Sequence, residues 1–351
     1  MKILSLLILL VLAGCLAVPA ISFFYESGGG AACSRCHEMG HQYEQWLSSS
    51  HRNIPCTSCH GEALSGSFRF HLTNVLRVRD HLLGNVPEPL RLRTADFLEM
   101  QARCAGCHRQ EFAQWSAGPH SVSYERLFLN AEHNRKEPPV DDCLRCHGMH
   151  FEGGIRDLLE PASARGPWRL RQEELAGQPA IPCTTCHSMH RPGRLLARWQ
   201  TGSPPAARFQ EPVRPSVGLF DRRSRQAVPV SLLPLPRMQD RNRPVAISPD
   251  PRQALCYQCH APLSAGQVRS GDDRTPTGVH EGLSCFSCHD KHRQTTRASC
   301  ATCHPRLSNC NRPVETMDTT FADPGSRNNI HFVKCQDCHP QGVPTPKKKE
   351  S

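Results

Sequence analysis

The sequence has few of the residues that usually build a large apolar interior. Aromatic residues make up only 6% of the 351 residues, whereas proline occurs 30 times and glycine 24 times. Proline removes a backbone donor and glycine weakens element interiors, so long regular elements are disfavoured. The composition argues against two or three ordinary domains, each with a large side-chain core. It predicts a mostly irregular fold with short α-helices and almost no sheet.

A second absence concerns the cysteines, because no C-x-x-C pair lacks a following His. Eighteen of the 20 cysteines lie in nine C-x-x-C-H motifs, which leaves Cys15 and Cys310. A zinc ribbon or a disulfide framework would not require His after every second Cys. We number the motifs 1 to 9 in chain order: Cys33–His37, Cys56–His60, Cys104–His108, Cys143–His147, Cys183–His187, Cys256–His260, Cys285–His289, Cys300–His304 and Cys335–His339.

This pattern is the attachment signature of c-type haem, in which two thiols add to the vinyl groups and the adjoining His binds the iron. Nine covalent haem c groups would supply the apolar interior that the side chains lack. The predicted attachment residues are Cys33, Cys36, Cys56, Cys59, Cys104, Cys107, Cys143, Cys146, Cys183, Cys186, Cys256, Cys259, Cys285, Cys288, Cys300, Cys303, Cys335 and Cys338. The predicted proximal ligands are His37, His60, His108, His147, His187, His260, His289, His304 and His339.

The remaining histidines bear on whether the haems carry electrons or bind a substrate. A haem with two strong axial ligands carries electrons, whereas a haem with an open position can transform a bound molecule. A His that stands three residues after a proximal His is expected to serve a neighbouring haem. The predicted second ligands are Met39, His51, His81, His120, His133, His150, His190, His280, His292 and His331, and the other histidines are His41 and His71.

The N-terminus contains a 22-residue stretch without charge, from Ile3 to Phe24. As a helix it would extend about 33 Å, enough for the hydrocarbon layer of a membrane. We therefore predict a transmembrane helix in the cytoplasmic membrane, with the haem body facing the periplasm. The sequence Leu12-Ala13-Gly14-Cys15 also matches a lipoprotein cleavage box, so a lipid on Cys15 is an alternative, as is plain secretory cleavage.

The motif spacing suggests an organisation in several modules. We predict an anchor or signal (1–25), a first haem lobe (26–110), a second haem module (111–197), a Pro/Arg-rich linker or strap (198–252), a four-haem lobe (253–340) and a basic tail (341–351). Apolar spacing predicts a longer helix at 67–83, and short helices are expected at 111–115 and 123–133.

The formal net charge of +10 does not indicate nucleic-acid binding. The basic residues lack interleaved aromatics, and the propionates of nine haems would offset the positive charge. Arg and Lys are therefore expected to pair with propionates.

The first ~110 residues carry a more specific pattern. It comprises Cys33-Ser34-Arg35-Cys36-His37-Glu38-Met39, then Gln42-Tyr43-Glu44-Gln45-Trp46, Ser49-Ser50-His51, motif 2 and Pro87-Glu88-Pro89-Leu90-Arg91-Leu92. This resembles the membrane-anchored NapC/NirT/NrfH quinol dehydrogenases, most closely the small subunit of cytochrome c nitrite reductase. The resemblance implies that Met39 is an axial ligand of the first haem, which takes electrons from quinol, and that Asp80 belongs to the quinol site. That family has four haems and a Lys that is not found here.

Together these features predict a nonahaem electron carrier. It would pass electrons from the membrane quinol pool to a periplasmic or outer-membrane redox protein. The alternatives are a multihaem reductase of a small nitrogen or sulfur oxyanion, and a lipidated cell-surface conductive cytochrome. No C-x-x-C-K variant occurs and candidate second ligands are abundant, which favours the carrier.

Overall fold

The computed structural model describes residues 2–26, 28, 33–61, 76–86, 92, 94–191, 214–261, 273–293, 296, 303–304, 318–320 and 323–342. The statements below concern these residues. Cys300, Cys310, His71, residues 198–213 and residues 343–351 of the basic tail lie outside them, as do the side chains of Cys33, His37 and Cys338.

The described residues are mostly irregular, and the helices are short except at the N-terminus, so the predicted fold class is confirmed in this respect. The helices are α1 Lys2–Glu26, α2 Gly40–Ser48, α3 Cys56–His60, α4 Thr94–Cys107, α5 Arg109–Ser116, α6 Tyr124–Phe128, α7 Ala131–Lys136, α8 Ile155–Leu158, α9 Ala254–His260 and α10 Cys335–Cys338. Residues 76–82 are also helical, within the predicted helix at 67–83.

Strands occur only as three two-stranded antiparallel ladders in the described part of the chain. In the longest, Gly218 is opposite Pro229 and Asp221 is opposite Gln226. The strands are β1 Leu159–Glu160 with β2 Arg169–Leu170, β3 Gly218–Asp221 with β4 Gln226–Pro229, and β5 Gln239–Asp240 with β6 Arg243–Pro244. The segment predicted as a linker or strap therefore contains two hairpins in its described portion.

One predicted helix is interrupted. The sequence predicts a helix over 123–133, whereas the structure has α6 and α7 separated at Asn130. The Asn130 side chain accepts hydrogen bonds from the backbone N–H groups of Glu132 and His133, each at 3.1 Å. This N-cap satisfies donors at the start of α7 and begins a new helix.

The chain divides into two compact units. Unit 1 comprises residues 1–112, 120–199 and 214–229, and unit 2 comprises residues 113–119, 200–213 and 230–351. Unit 1 has a buried apolar cluster of Leu98, Tyr124, Phe128, Leu144, Phe151, Ile155, Leu158, Leu159, Leu170, Leu175 and Ala180. Unit 2 has a smaller cluster of Met238, Val245, Tyr257 and Ala261.

The N-terminal stretch forms helix α1, as its charge-free sequence predicts. Among the residues that the structure describes, no helix combines the length and apolar character needed to cross a membrane. The predicted transmembrane helix is therefore not confirmed.

Candidate haem sites

The described C-x-x-C-H motifs lie on single helical turns, whether α-helical or 3-10. The backbone N–H of the motif His donates to the carbonyl of the first Cys at 2.8–3.0 Å in motifs 3, 4, 5, 7 and 9. Residues at i, i+3 and i+4 of a helix share one face. The turn therefore directs both thiols and the imidazole of one motif to the same side, as covalent attachment and iron ligation both require. None of the cysteines that the structure describes forms a disulfide.

Three motif histidines face a second imidazole. The ring centroids are 6.1 Å apart for His108 and His51, 6.0 Å for His60 and His190, and 6.0 Å for His289 and His331. Two metal–nitrogen bonds of about 2 Å, lengthened by the two ring radii, give a centroid separation of about 6 Å. In each pair, one partner is a predicted proximal ligand and the other is a predicted second ligand. The donor set and spacing therefore fit an iron held between two imidazoles.

Burial favours the neutral form of His51, His60, His190, His289 and His331, and neutral imidazole is the form that binds metals. Burial, followed by the nearby His190, lowers the pKa of His60 to about 4. Burial, followed by His289, lowers the pKa of His331 to about 4. Burial also lowers the pKa of His51, His190 and His289.

Four predicted second ligands have a hydrogen-bond partner at Nδ1. The partners are Gln42 Oε1 for His190 at 3.1 Å, the Ile330 carbonyl for His280 at 3.1 Å, Asn329 Oδ1 for His331 at 2.9 Å, and Glu38 Oε1 for His81. An acceptor at Nδ1 fixes the proton there and leaves Nε2 as the lone-pair nitrogen, an arrangement common among metal-binding histidines. None of these partners was predicted from the sequence. Three of them come from segments at least 43 residues away, whereas Asn329 lies two residues before His331.

His150 occupies a different environment. Its ring is stacked on Phe97 and tilted against Phe220, with centroid separations of 3.9 and 4.0 Å. The residue is only 1% exposed and neither ring nitrogen has a hydrogen-bond partner. Burial, followed by Arg225, lowers its pKa to about 3. A buried, neutral, unsatisfied imidazole of this kind is suited to an iron, and Nε2 of His339 in motif 9 is likewise buried without a hydrogen bond.

Three predicted ligands lie nearer the surface. His120 is exposed on a 3-10 turn, and His292 is partly exposed after motif 7. The His133 side chain is 56% exposed, and its Nε2 is 3.8 Å from a Glu137 carboxylate oxygen. Their assignment as ligands stays a prediction.

Motif 1 is close to the helical residues 76–82. Met39 ends a 3-10 turn directly after motif 1, and its backbone N–H donates to the Cys36 carbonyl at 2.9 Å. The preceding Glu38 contacts His81. The adjoining Asp80 accepts from Arg79 Nε and Nη2 at 2.9 and 2.6 Å. The structure therefore brings the segment of the predicted quinol residue to motif 1.

Sequence reasoning missed two buried glutamines that bind motif cysteines. Gln101 Oε1 accepts from the Cys183 backbone N–H at 2.8 Å, and Gln253 Oε1 accepts from the Cys285 backbone N–H at 3.2 Å. A weak signal was present, because both stand in the sequence Gln-Ala-x-Cys before motifs 3 and 6.

Comparison with known proteins gives two partial matches. Residues 103–188 match the family model of cytochrome c554 and c-prime, and residues 245–305 match that of cytochrome c7 and related cytochrome c. No curated protein and no solved structure matches the chain.

These matches and the attachment motifs define a class. The chain is a multihaem c-type cytochrome, with covalently bound haem c. Its general activity is therefore electron transfer. The matched ranges include the whole of motifs 3, 4, 5, 6, 7 and 8.

Proposed function

We propose that the chain holds nine haems and conducts electrons from membrane quinol to a periplasmic or outer-membrane redox protein. The supporting observation is the three imidazole pairs with centroid separations of 6.0–6.1 Å. When bound, each haem supplies a one-electron couple whose potential depends on its axial ligands and surroundings. The chain's own part is to supply two axial ligands per iron, to exclude water by burial and to fix the imidazole tautomers through Nδ1 partners.

The N-terminal segment supports motif 1 as the entry point for electrons. Glu38 and Met39 follow the motif directly. Glu38 contacts His81, and Asp80 is the residue before His81. An Asp80 carboxylate could accept a quinol proton, whereas Met39 would tune the haem potential as a thioether ligand. The Arg79 guanidinium beside Asp80 holds this carboxylate in place.

We propose that the apolar N-terminal segment directs export and attaches the protein to the cytoplasmic membrane. Large side chains of α1 are exposed, among them Ile3 at 78% and Leu16 at 75%. Such a surface favours an apolar environment. Lipid on the exposed Cys15 is the alternative attachment. The intact mass distinguishes them, because lipoprotein processing removes residues 1–14 and adds lipid to Cys15.

Menaquinol-driven reduction of the membrane-bound protein tests the quinol step. We expect rapid haem reduction in the wild type, and at least a tenfold slower rate in Asp80→Asn, because the proton acceptor is lost. Asp240→Asn is the control, since Asp240 lies on β5 in unit 2. Equal rates for all three proteins would contradict the quinol site, and no menaquinol reduction would overturn the quinol proposal.

Electron paramagnetic resonance tests carrier against reductase. The carrier predicts low-spin ferric signals that do not change when nitrite or hydroxylamine is added. A high-spin signal that shifts on adding either compound would favour the enzyme, because it would reveal an open iron position.

A further inference from the structure

Two buried glutamines occupy matching places in the two units. Gln101 is 4% exposed and lies in α4, three residues before Cys104 of motif 3. Gln253 is 0% exposed and ends the 3-10 turn that leads into α9, three residues before Cys256 of motif 6. Buried glutamine is uncommon, so two at equivalent positions call for a physical role.

Each glutamine binds the first cysteine of a different motif. The Cys183 N–H of motif 5 donates to Gln101 Oε1 at 2.8 Å, and the Cys285 N–H of motif 7 donates to Gln253 Oε1 at 3.2 Å. The donor is a backbone group, so these bonds do not depend on whether the sulfur is a thiol or a thioether. Each amide thus links one motif to another within its unit.

The rest of each amide is also hydrogen-bonded. Gln101 Nε2 donates to Cys183 Sγ at 2.8 Å, whereas Gln253 Nε2 donates to the Ser248 carbonyl at 2.6 Å. Use of both ends fixes the side chain, and loss of the amide would leave a buried N–H without a partner. The glutamines therefore hold their partners in one arrangement.

The linked cysteines lie together in both units. Burial, followed by the Cys183 and Cys59 thiols, raises the pKa of the Cys104 thiol to about 11. In unit 2, the neighbouring Cys256 thiol, followed by burial, raises the pKa of the Cys285 thiol. Because these cysteines are the predicted attachment points, the two groups that they hold must be neighbours.

We propose that Gln101 and Gln253 are positioning residues that hold two haems side by side in each unit, motif 3 with motif 5 and motif 6 with motif 7. Each unit then contains one closely coupled haem pair built by the same Gln-Ala-x-Cys device. That the haem pair serves fast electron exchange rests on the proposed function, whereas the presence of the haem pair does not.

Soret circular dichroism of the full-length holoprotein tests the proposal, because neighbouring haems give a bisignate couplet. We expect Gln101→Leu and Gln253→Leu each to lose the contribution of one pair, while the intact mass still shows nine haems. The Glu variants at both positions keep the acceptor oxygen and should retain the couplet. Gln110→Leu and Gln239→Leu are matched controls at exposed positions in units 1 and 2.

An unchanged couplet in both Leu variants with nine haems attached would overturn the proposal. If a Leu variant loses haem, the Glu variant at the same position is the deciding measurement. A retained couplet in the Glu variant supports the positioning role of the glutamine. A lost couplet or a lost haem in the Glu variant overturns that role. The readout needs no electron donor, so failure of menaquinol reduction would count against the proposed function alone.

Discussion

The two units pair motifs in the same way but differ in what else supports them. Among the residues that the structure describes, unit 1 contains a cluster of eleven buried apolar residues and unit 2 a cluster of four. Unit 2 has a buried polar network instead, in which Asp250 accepts hydrogen bonds from Arg252 and Ser284. Apolar burial is the main stabilising term in folding. The difference indicates that unit 2 depends more on its haems for a folded state.

The largest expected effect comes from removing one haem from each unit. The double variants Cys183→Ala with Cys186→Ala and Cys285→Ala with Cys288→Ala remove the attachment points of motifs 5 and 7. We expect the second variant to be cleaved much faster within unit 2 than the first is within unit 1, because the described part of unit 2 has the smaller apolar cluster. Limited proteolysis with mass spectrometry measures this, and equal cleavage rates would contradict the comparison.

A smaller effect is expected from weakening the core of unit 1. Leu158 is 0% exposed in that cluster, and Leu158→Ala should lower the local opening free energy by about 2–5 kcal/mol because it leaves a cavity. Leu232 in unit 2 is 73% exposed. Leu232→Ala should therefore change the local opening free energy by no more than about 0.5 kcal/mol. Hydrogen-exchange mass spectrometry of the holoprotein measures both opening free energies. Similar losses in the two variants would show that unit 1, too, is stabilised mainly by its haems.

The polar network of unit 2 gives a pH-dependent prediction. Burial alone would raise the pKa of Asp250, but hydrogen bonds from Arg252 and Ser284 outweigh it and the net pKa is lowered. A lowered folded-state pKa adds stability above the usual Asp pKa of about 3.9, and this is lost as pH falls through the folded-state value. Asp250→Asn should therefore cost about 1–3 kcal/mol of local stability at pH 7 and progressively less below pH 4.

Hydrogen exchange in unit 2 at pH 7 and denaturant titration below pH 4 measure the stability that Asp250→Asn loses. Asp240→Asn serves as the control on β5 of the same unit. A cost that is independent of pH would mean that the hydrogen bonds of Asp250 do not depend on its charge.

The smallest effect involves one haem at a time. His190→Gly in unit 1 and His331→Gly in unit 2 should each convert one haem to high spin, because one imidazole of a facing pair is lost. Added imidazole should restore the low-spin signal. His41→Gly is the control, since His41 contacts Gln45 at 2.7 Å on α2. Absence of a high-spin signal in both variants would contradict the assigned pairs.

The sequence was sufficient for the class of protein and for a mostly irregular fold with short helices, but the transmembrane helix that it predicts is not confirmed. C-x-x-C-H motifs are local, and the helical turn that they form needs only neighbouring residues. Low aromatic content and many prolines likewise predicted short elements. The expectation that a His three residues after a proximal His serves another haem agrees with His190, which faces His60 rather than His187.

The partner of each histidine could not be predicted. His51 and His108 are 57 residues apart, and a sequence with several candidate ligands gives no distance between them. Gln101 was missed because glutamine is usually a surface residue of helices. The sequence predicts a continuous helix through Asn130, whereas the Asn130 side chain caps a new helix. Motifs depend on local geometry, whereas ligand pairs and amide contacts depend on tertiary packing.

The central claim is that all nine motifs carry haem c, and peptide mass spectrometry of the purified holoprotein tests it most directly. We expect nine C-x-x-C-H peptides, each with one covalently attached haem, and no haem-free form of any of them. Zinc-bound or disulfide-linked cysteines in any of the motifs, with fewer than nine haems, would contradict it.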